Sequence, residues 1–158
     1  MNVYVTECRL GRGLFAAAGF ERGEVILTFT GRVRGLKEIL GRTDSFNLLQ
    51  VSRDGYLDLE SPGLFVNHSC EPNAGVCNNT TLIALRDIRA GEEIQYDYST
   101  TMDEDLETMA CGCGSRKCRG VVRDFRHLPM ELKRNYLMLG LVQDFIHARE
   151  CSLRRLGA

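Results

Sequence analysis

Tryptophan is absent from the 158-residue sequence and proline occurs three times, which excludes proline-rich extended segments and collagen-like repeats. Internal repeats and low-complexity tracts are also missing. No apolar run approaches the ~18 residues of a membrane span, and Met1–Leu10 lacks the basic-then-apolar layout of a secretory leader. The expectation is a soluble, intracellular chain, cytoplasmic or nuclear, without a membrane partner. A large charge excess is lacking too: the formal net charge of −1 argues against a strongly basic nucleic-acid binder, so no direct nucleic-acid contact is expected. What is present suffices for one ordinary domain with a core, since 44% of residues are hydrophobic and 26% charged.

The balanced charge hides a split. Residues 1–110 hold 10 basic against 17 acidic side chains, and residues 111–158 hold 10 against 4. Asp103-Glu104-Asp105-Leu106-Glu107 is an acidic run that reads equally as a solvated loop or as a rim attracting a cationic peptide. Cysteine is distributed as unevenly. Cys8, Cys70, Cys77 and Cys151 are scattered, while Cys111, Cys113 and Cys118 crowd onto a glycine-containing loop. An odd number of cysteines so spaced fits a disulfide framework badly and a metal site well. Zinc asks for four ligands in a tetrahedron, so a fourth must come from elsewhere; Cys70, His68 and His127 are the candidates.

Glycine-punctuated apolar stretches predict short strands at Val3–Val5, Gly11–Ala16, Glu24–Phe29, Phe46–Val51, Tyr56–Leu59, Ala74–Cys77, Leu82–Leu85 and Glu93–Tyr98. A short helix is expected at Leu36–Leu40. From Pro129, apolar residues from Leu132 to Ile146 recur at three-to-five-residue intervals, which predicts one amphipathic helix. Gly11-Arg12-Gly13-Leu14-Phe15-Ala16 matches a dinucleotide-binding pattern formally, but Gly19 and Gly23 interrupt the segment where that fold needs a long helix. The two glycines still permit close approach of a ligand to the backbone.

Two further segments complete the pattern: Asn67-His68-Ser69-Cys70-Glu71-Pro72-Asn73, and Gly91-Glu92-Glu93-Ile94-Gln95-Tyr96-Asp97-Tyr98 with two tyrosines on one face. Taken in order with Gly11-Arg12-Gly13 upstream and Cys111–Gly120 downstream, they resemble the SET-domain family of protein-lysine methyltransferases over about two thirds of the chain.

The resemblance implies a mainly β fold, a β-clip of short twisted sheets with a pseudoknot, a post-SET zinc loop and a C-terminal α-helix. It divides the chain into a catalytic core at residues 1–110, a zinc loop at 111–127 and a helical extension at 128–158. It implies methyl transfer from S-adenosylmethionine to lysine, with Tyr98 orienting the reacting groups and Tyr96 limiting the product to mono- or dimethyl-lysine. Gly11, Arg12 and Gly13 would meet the methionine end of the cofactor, Asn67 and His68 its adenosine, and Gly112 would close over the adenine. It selects Cys70 as the fourth ligand of a structural zinc site with Cys111, Cys113 and Cys118, leaving Cys8, Cys77 and Cys151 free. The partner implied is a basic, lysine-containing protein or peptide, a histone tail among the candidates. Phe29 and Phe46 stand where the family often has tyrosine, so lysine would be held by fewer hydrogen bonds. With ten residues ahead of Gly11, the family's cysteine-rich upstream module is expected to be missing. The competing expectation is a catalytically silent SET fold acting as a zinc-dependent protein-binding module, for which loss of Tyr98 or of Asn67-His68 would be the sign.

Overall fold

The computed structural model describes residues 2–40, 47–105 and 108–156. Phe46, Leu106 and Glu107 lie outside the described residues. Strands β1 (Val3–Cys8) and β2 (Gly11–Ala16) form an antiparallel hairpin with Val3 opposite Ala16 and Cys8 opposite Gly11. After β3 (Val25–Thr28), strand β4 (Gly31–Gly35) leads into the one-turn helix α1 (Leu36–Ile39), and β5 (Leu48–Gln50) and β6 (Gly55–Leu59) close a second hairpin. These three strands form a sheet in the order β4-β6-β5. The two-residue strand β7 (Asn67–His68) precedes β8 (Ala74–Cys77) and β9 (Thr81–Ala84), which join β3 in the order β3-β9-β8. Asn78 and Asn79 turn that hairpin at φ 48° and 64°, a backbone region that asparagine tolerates better than most residues.

Strands β8 and β9 are covered on both faces, and their side chains sort by strand alternation, while β3 leaves Val25 exposed at the edge. Val76, Leu82 and Ala84 enter the main core with Leu14, Phe20, Leu49, Ile88, Ile94 and Tyr96. Cys77, Ile83 and Leu85 pack on a second cluster of Phe125, Leu128, Tyr136, Leu141, Val142 and Ile146. The C-terminal segment is therefore the second cover of a sheet whose first cover is the main core.

Two expectations are corrected. The C-terminal segment forms two helices, α2 (Met130–Met138) and α3 (Asp144–Leu156), where one was expected. Gly140 has φ 67°, its N–H bonds the carbonyl of Leu137, and that of Leu141 bonds Tyr136, the paired closure of a Schellman cap. The apolar spacing runs on through this break because Leu141 and Val142 enter the same cluster. The strand expected at Glu93–Tyr98 shrinks to β10 (Gln95–Tyr96). The Asp97 carboxylate accepts the N–H of Ser99 and starts a 3-10 turn at Tyr98–Thr100, which draws the chain out of the ladder. Strands β11 (Met109–Ala110) and β12 (Val121–Val122) pair antiparallel and frame the cysteine loop. Among the described residues no helix is long and apolar enough to cross a membrane.

Candidate functional site

Strands β7 and β10 pair in parallel, Asn67 beside Gln95 and His68 beside Tyr96, which brings two segments far apart in sequence into one knot. Asn73 ties it: its amide donates to the carbonyl of Glu93 at 2.8 Å and its side-chain oxygen accepts the N–H of Gln95 at 2.9 Å. The Tyr96 and Tyr98 rings lie 4.8 Å apart, with Phe29 at 6.0 Å from Tyr96 and His68 at 5.3 Å from Tyr98. The Tyr98 hydroxyl donates to the carbonyl of Val66 at 2.8 Å, which fixes the direction of its ring. Burial raises the pKa of both phenols, and neighbouring Tyr96 and Glu93 add to the effect at Tyr98, so both stay protonated at neutral pH.

The glycine-rich end of β2 reaches the same region. The Asn67 side chain donates to the carbonyl of Arg12 at 3.0 Å and to Glu93 Oε1 at 2.8 Å. The Arg12 guanidinium sits 4.2 Å over the Phe65 ring. A Cβ on Gly13 would stand 2.6 Å from Glu93 Oε1 and 3.2 Å from the Asn67 amide, so any larger residue here displaces the Glu93 carboxylate and shifts Asn67. From the β1–β2 turn, Arg9 donates to the carbonyl of Gly112 and Leu10 packs near the same residue, joining the glycine segment to the cysteine loop. Gly11, Arg12, Gly13, Asn67 and Gly112 thus converge.

The His68 ring is occupied elsewhere. Its Nδ1 accepts the N–H of Tyr98 at 3.2 Å, and its Nε2 lies 3.3 Å from Cys70 Sγ. Accepting at Nδ1 places the proton of the neutral ring on Nε2, facing the sulfur. Burial, opposed in part by Asp97, brings the His68 pKa down to about 4 and keeps the ring neutral. Any contact of His68 with a ligand beside β2 therefore runs through its backbone.

The sulfur atoms of Cys70, Cys111, Cys113 and Cys118 all lie within 4.8 Å of one another, with Cys70 and Cys111 at 3.6 Å. Thiolates on a tetrahedral zinc, at Zn–S of about 2.3 Å, stand about 3.8 Å apart, so this donor set fits zinc. The four sulfurs make up the donor set without His127, whose Nε2 instead lies 2.7 Å from Asp105. Burial opposes ionisation of Cys113, but the N–H groups of Cys70 and Ser115 and the adjoining thiols outweigh it and bring its pKa to about 7. The N–H of Arg119 points at Cys70 Sγ and that of Gly120 at Cys118 Sγ, both at 3.4 Å, which offsets the charge of a thiolate cluster.

The acidic run is largely consumed inside the molecule. Asp103 pairs with Arg126 and Arg149, Asp105 with Arg126 and His127, and Glu104 accepts from the Tyr56 hydroxyl. The charge split between the two parts of the chain thus serves to hold the C-terminal segment on the core. Sequence reasoning missed Glu93, Asp97, Arg119 and Tyr136, although Asp97 stands between the two tyrosines and Arg119 directly follows Cys118. Arg119 forks onto the Asp97 carboxylate at 2.7 and 2.8 Å.

Residues 11–99 match the family model described as SET domain. Among curated relatives, human Histone-lysine N-methyltransferase 2B is 29% identical over 131 residues, covering 69% of this chain and 5% of its own length. Histone-lysine N-methyltransferase trr of Drosophila melanogaster is 31% identical over 137 residues, 75% of this chain and 6% of that protein. The chain thus spans about a twentieth of the length of the curated relatives it matches. Among solved structures, KRYPTONITE in complex with mCHG DNA and SAH superposes with a TM-score of 0.64 at 22% identity, over 77% of this chain and 29% of that one. KRYPTONITE in complex with mCHH DNA, H3(1-15) peptide and SAH gives 0.62 at 22%, with the same coverage. The likeness to these structures is one of fold.

Proposed function

The chain belongs to the SET domain family, and from that premise we propose that it is a protein-lysine N-methyltransferase. The observation that carries the reading is the convergence of buried Tyr96 and half-buried Tyr98 with Asn67, His68 and the glycines of β2, which the β7–β10 knot brings together. S-adenosylmethionine, as cosubstrate, supplies an electrophilic methyl group on a sulfonium. The acceptor must arrive as a neutral amine, whereas free lysine has a pKa of ~10.4. A channel walled by Tyr96, Tyr98 and Phe29 disfavours the ammonium by desolvation and favours the reactive form. Tyr98 stays neutral and, with its proton directed to Val66, turns its remaining lone pair toward the reacting centre, where it orients amine and methyl. Tyr96, packed against Phe29 and lying against Thr101, narrows the channel and limits the product to mono- or dimethyl-lysine. Gly11, Arg12, Gly13, Asn67, the backbone of His68 and Gly112 hold the cosubstrate.

Zinc, held by Cys70, Cys111, Cys113 and Cys118, supplies a cross-link between the cysteine loop and the knot. That cross-link keeps Gly112 over the cosubstrate without entering the reaction. The substrate is a basic, lysine-containing protein segment inside the cell, a histone tail being the first to test because the relatives are named for histone lysine. No nucleic-acid partner is assigned, on the balance of 20 basic against 21 acidic side chains. Incubation with radiolabelled S-adenosylmethionine and a panel of histones and cell lysate, beside a Tyr98→Phe control, tests the reading. Labelling well above the control supports it, and none above the control refutes it.

A further inference from the structure

Helices α2 and α3 carry no motif that the proposed reaction uses, yet one side chain of α2 reaches the centre of the site. Asp97 lies between Tyr96 and Tyr98 in the chain, and its side chain has no exposure. A carboxylate so placed is tolerable only when its oxygens are bonded on every side. Arg119 takes both oxygens, Ser99 N–H donates to Oδ1 at 3.1 Å, and the Tyr136 hydroxyl donates to Oδ2 at 3.1 Å. These donors come from the residue after the last thiol, from the turn that presents Tyr98, and from α2. The His68 Nδ1, which accepts the N–H of Tyr98, lies 3.6 Å from Oδ1. Phenylalanine would fill the apolar space of Tyr136 equally well, and a phenol hydroxyl buried there needs an acceptor; Asp97 is the one it has.

We propose that Tyr136 is a positioning residue for methyl transfer, holding Asp97 so that the Tyr96–Tyr98 turn and the cysteine loop keep one fixed relation. The inference rests on the reading of Tyr98 above and makes the C-terminal helices part of the working enzyme. Tyr136→Phe in the full chain lowers kcat about tenfold, the effect of one lost hydrogen bond to a charged group, with KM for S-adenosylmethionine and zinc content unchanged. Arg119→Lys keeps the charge, loses the fork, and lowers kcat similarly. Because both act on Asp97, the double variant falls short of the product of the single effects. A kcat for Tyr136→Phe within twofold of wild type, or effects that simply multiply, overturns the proposal. A second arm needs no turnover: release of zinc to a chromogenic chelator is faster in Tyr136→Phe than in wild type, and equal rates overturn the coupling. If the wild-type chain transfers no methyl group, the reading of the site fails while the release rates still decide whether Tyr136 couples α2 to the loop.

Discussion

Replacing Gly13 by alanine separates a strand residue from a ligand-site residue. Gly13 lies inside β2 opposite Thr6 and has ordinary extended geometry, so alanine fits its backbone and, in a plain strand, would stabilise by about 0.5–1 kcal/mol. Here the added methyl would stand 2.6 Å from Glu93 Oε1, 3.2 Å from Asn67 Nδ2 and 3.2 Å from Cys8 Sγ. The carboxylate and the amide must move, which disrupts the bonds of Asn67 to Arg12 and Glu93. A neutral hydrogen bond contributes about 1 kcal/mol and one to a charged group about 1.5–3 kcal/mol. The strand gain enters folding and is read in the melting point, whereas loss of both bonds at the Asn67 side chain, about 2.5–4 kcal/mol, sets an upper bound of about 70- to 900-fold on the fall in affinity. Calorimetric titration with S-adenosylhomocysteine, beside thermal melting of the free protein, reads the two contributions separately. An affinity within about threefold of wild type together with a higher melting point would show that Gly13 only shapes the strand.

Three other outcomes are expected. Stripping zinc with a chelator abolishes methyl transfer and opens residues 111–120 to proteolysis; full activity in a preparation shown to lack zinc would contradict the structural role of the four thiolates. Tyr96→Phe, by removing a hydroxyl from the buried ring beside Phe29 and Tyr98, shifts product toward higher methylation by mass spectrometry, and an unchanged distribution would show that Tyr96 does not set the limit. Gly140→Ala meets no atom within 4 Å but forces alanine into φ 67°, at a cost of about 1–2 kcal/mol. The melting temperature then falls by about 2–8 °C, and an unchanged value would remove the reason given for the α2–α3 break.

What could be read from the chain and what could not divide along a physical line. Strands β2 and β8 were legible at their full length because glycine or asparagine turns bound short runs of the right alternation, whereas β1 runs on from Val5 to Cys8 because its polar Thr6 and Glu7 pair with Gly13 and Arg12 in a hairpin that apolar runs do not show. Cys111, Cys113 and Cys118 were legible as a cluster because their spacing is local, and Cys70 entered only through the resemblance, since its approach depends on the β7–β10 knot. The hub at Asp97 was invisible for the same reason: Arg119 and Tyr136 come from 22 and 39 residues away. The inward turn of the His68 ring, which accepts the Tyr98 N–H and faces Cys70, depends on the same knot and is not visible in the motif. The acidic run looked like a free field because the arginines that neutralise it belong to the opposite end of the chain. Helix α3 was merged with α2 because apolar periodicity does not register a change of direction when both sides of Gly140 enter one core.

The most direct test of the central claim is tandem mass spectrometry of a lysine-containing histone peptide after incubation with S-adenosylmethionine and either the wild-type chain or Tyr98→Phe. The account predicts one or two methyl groups on a lysine Nζ with the wild-type chain and a severe loss with the variant. Methylation at another residue type, or equal lysine methylation by the two proteins, would contradict it.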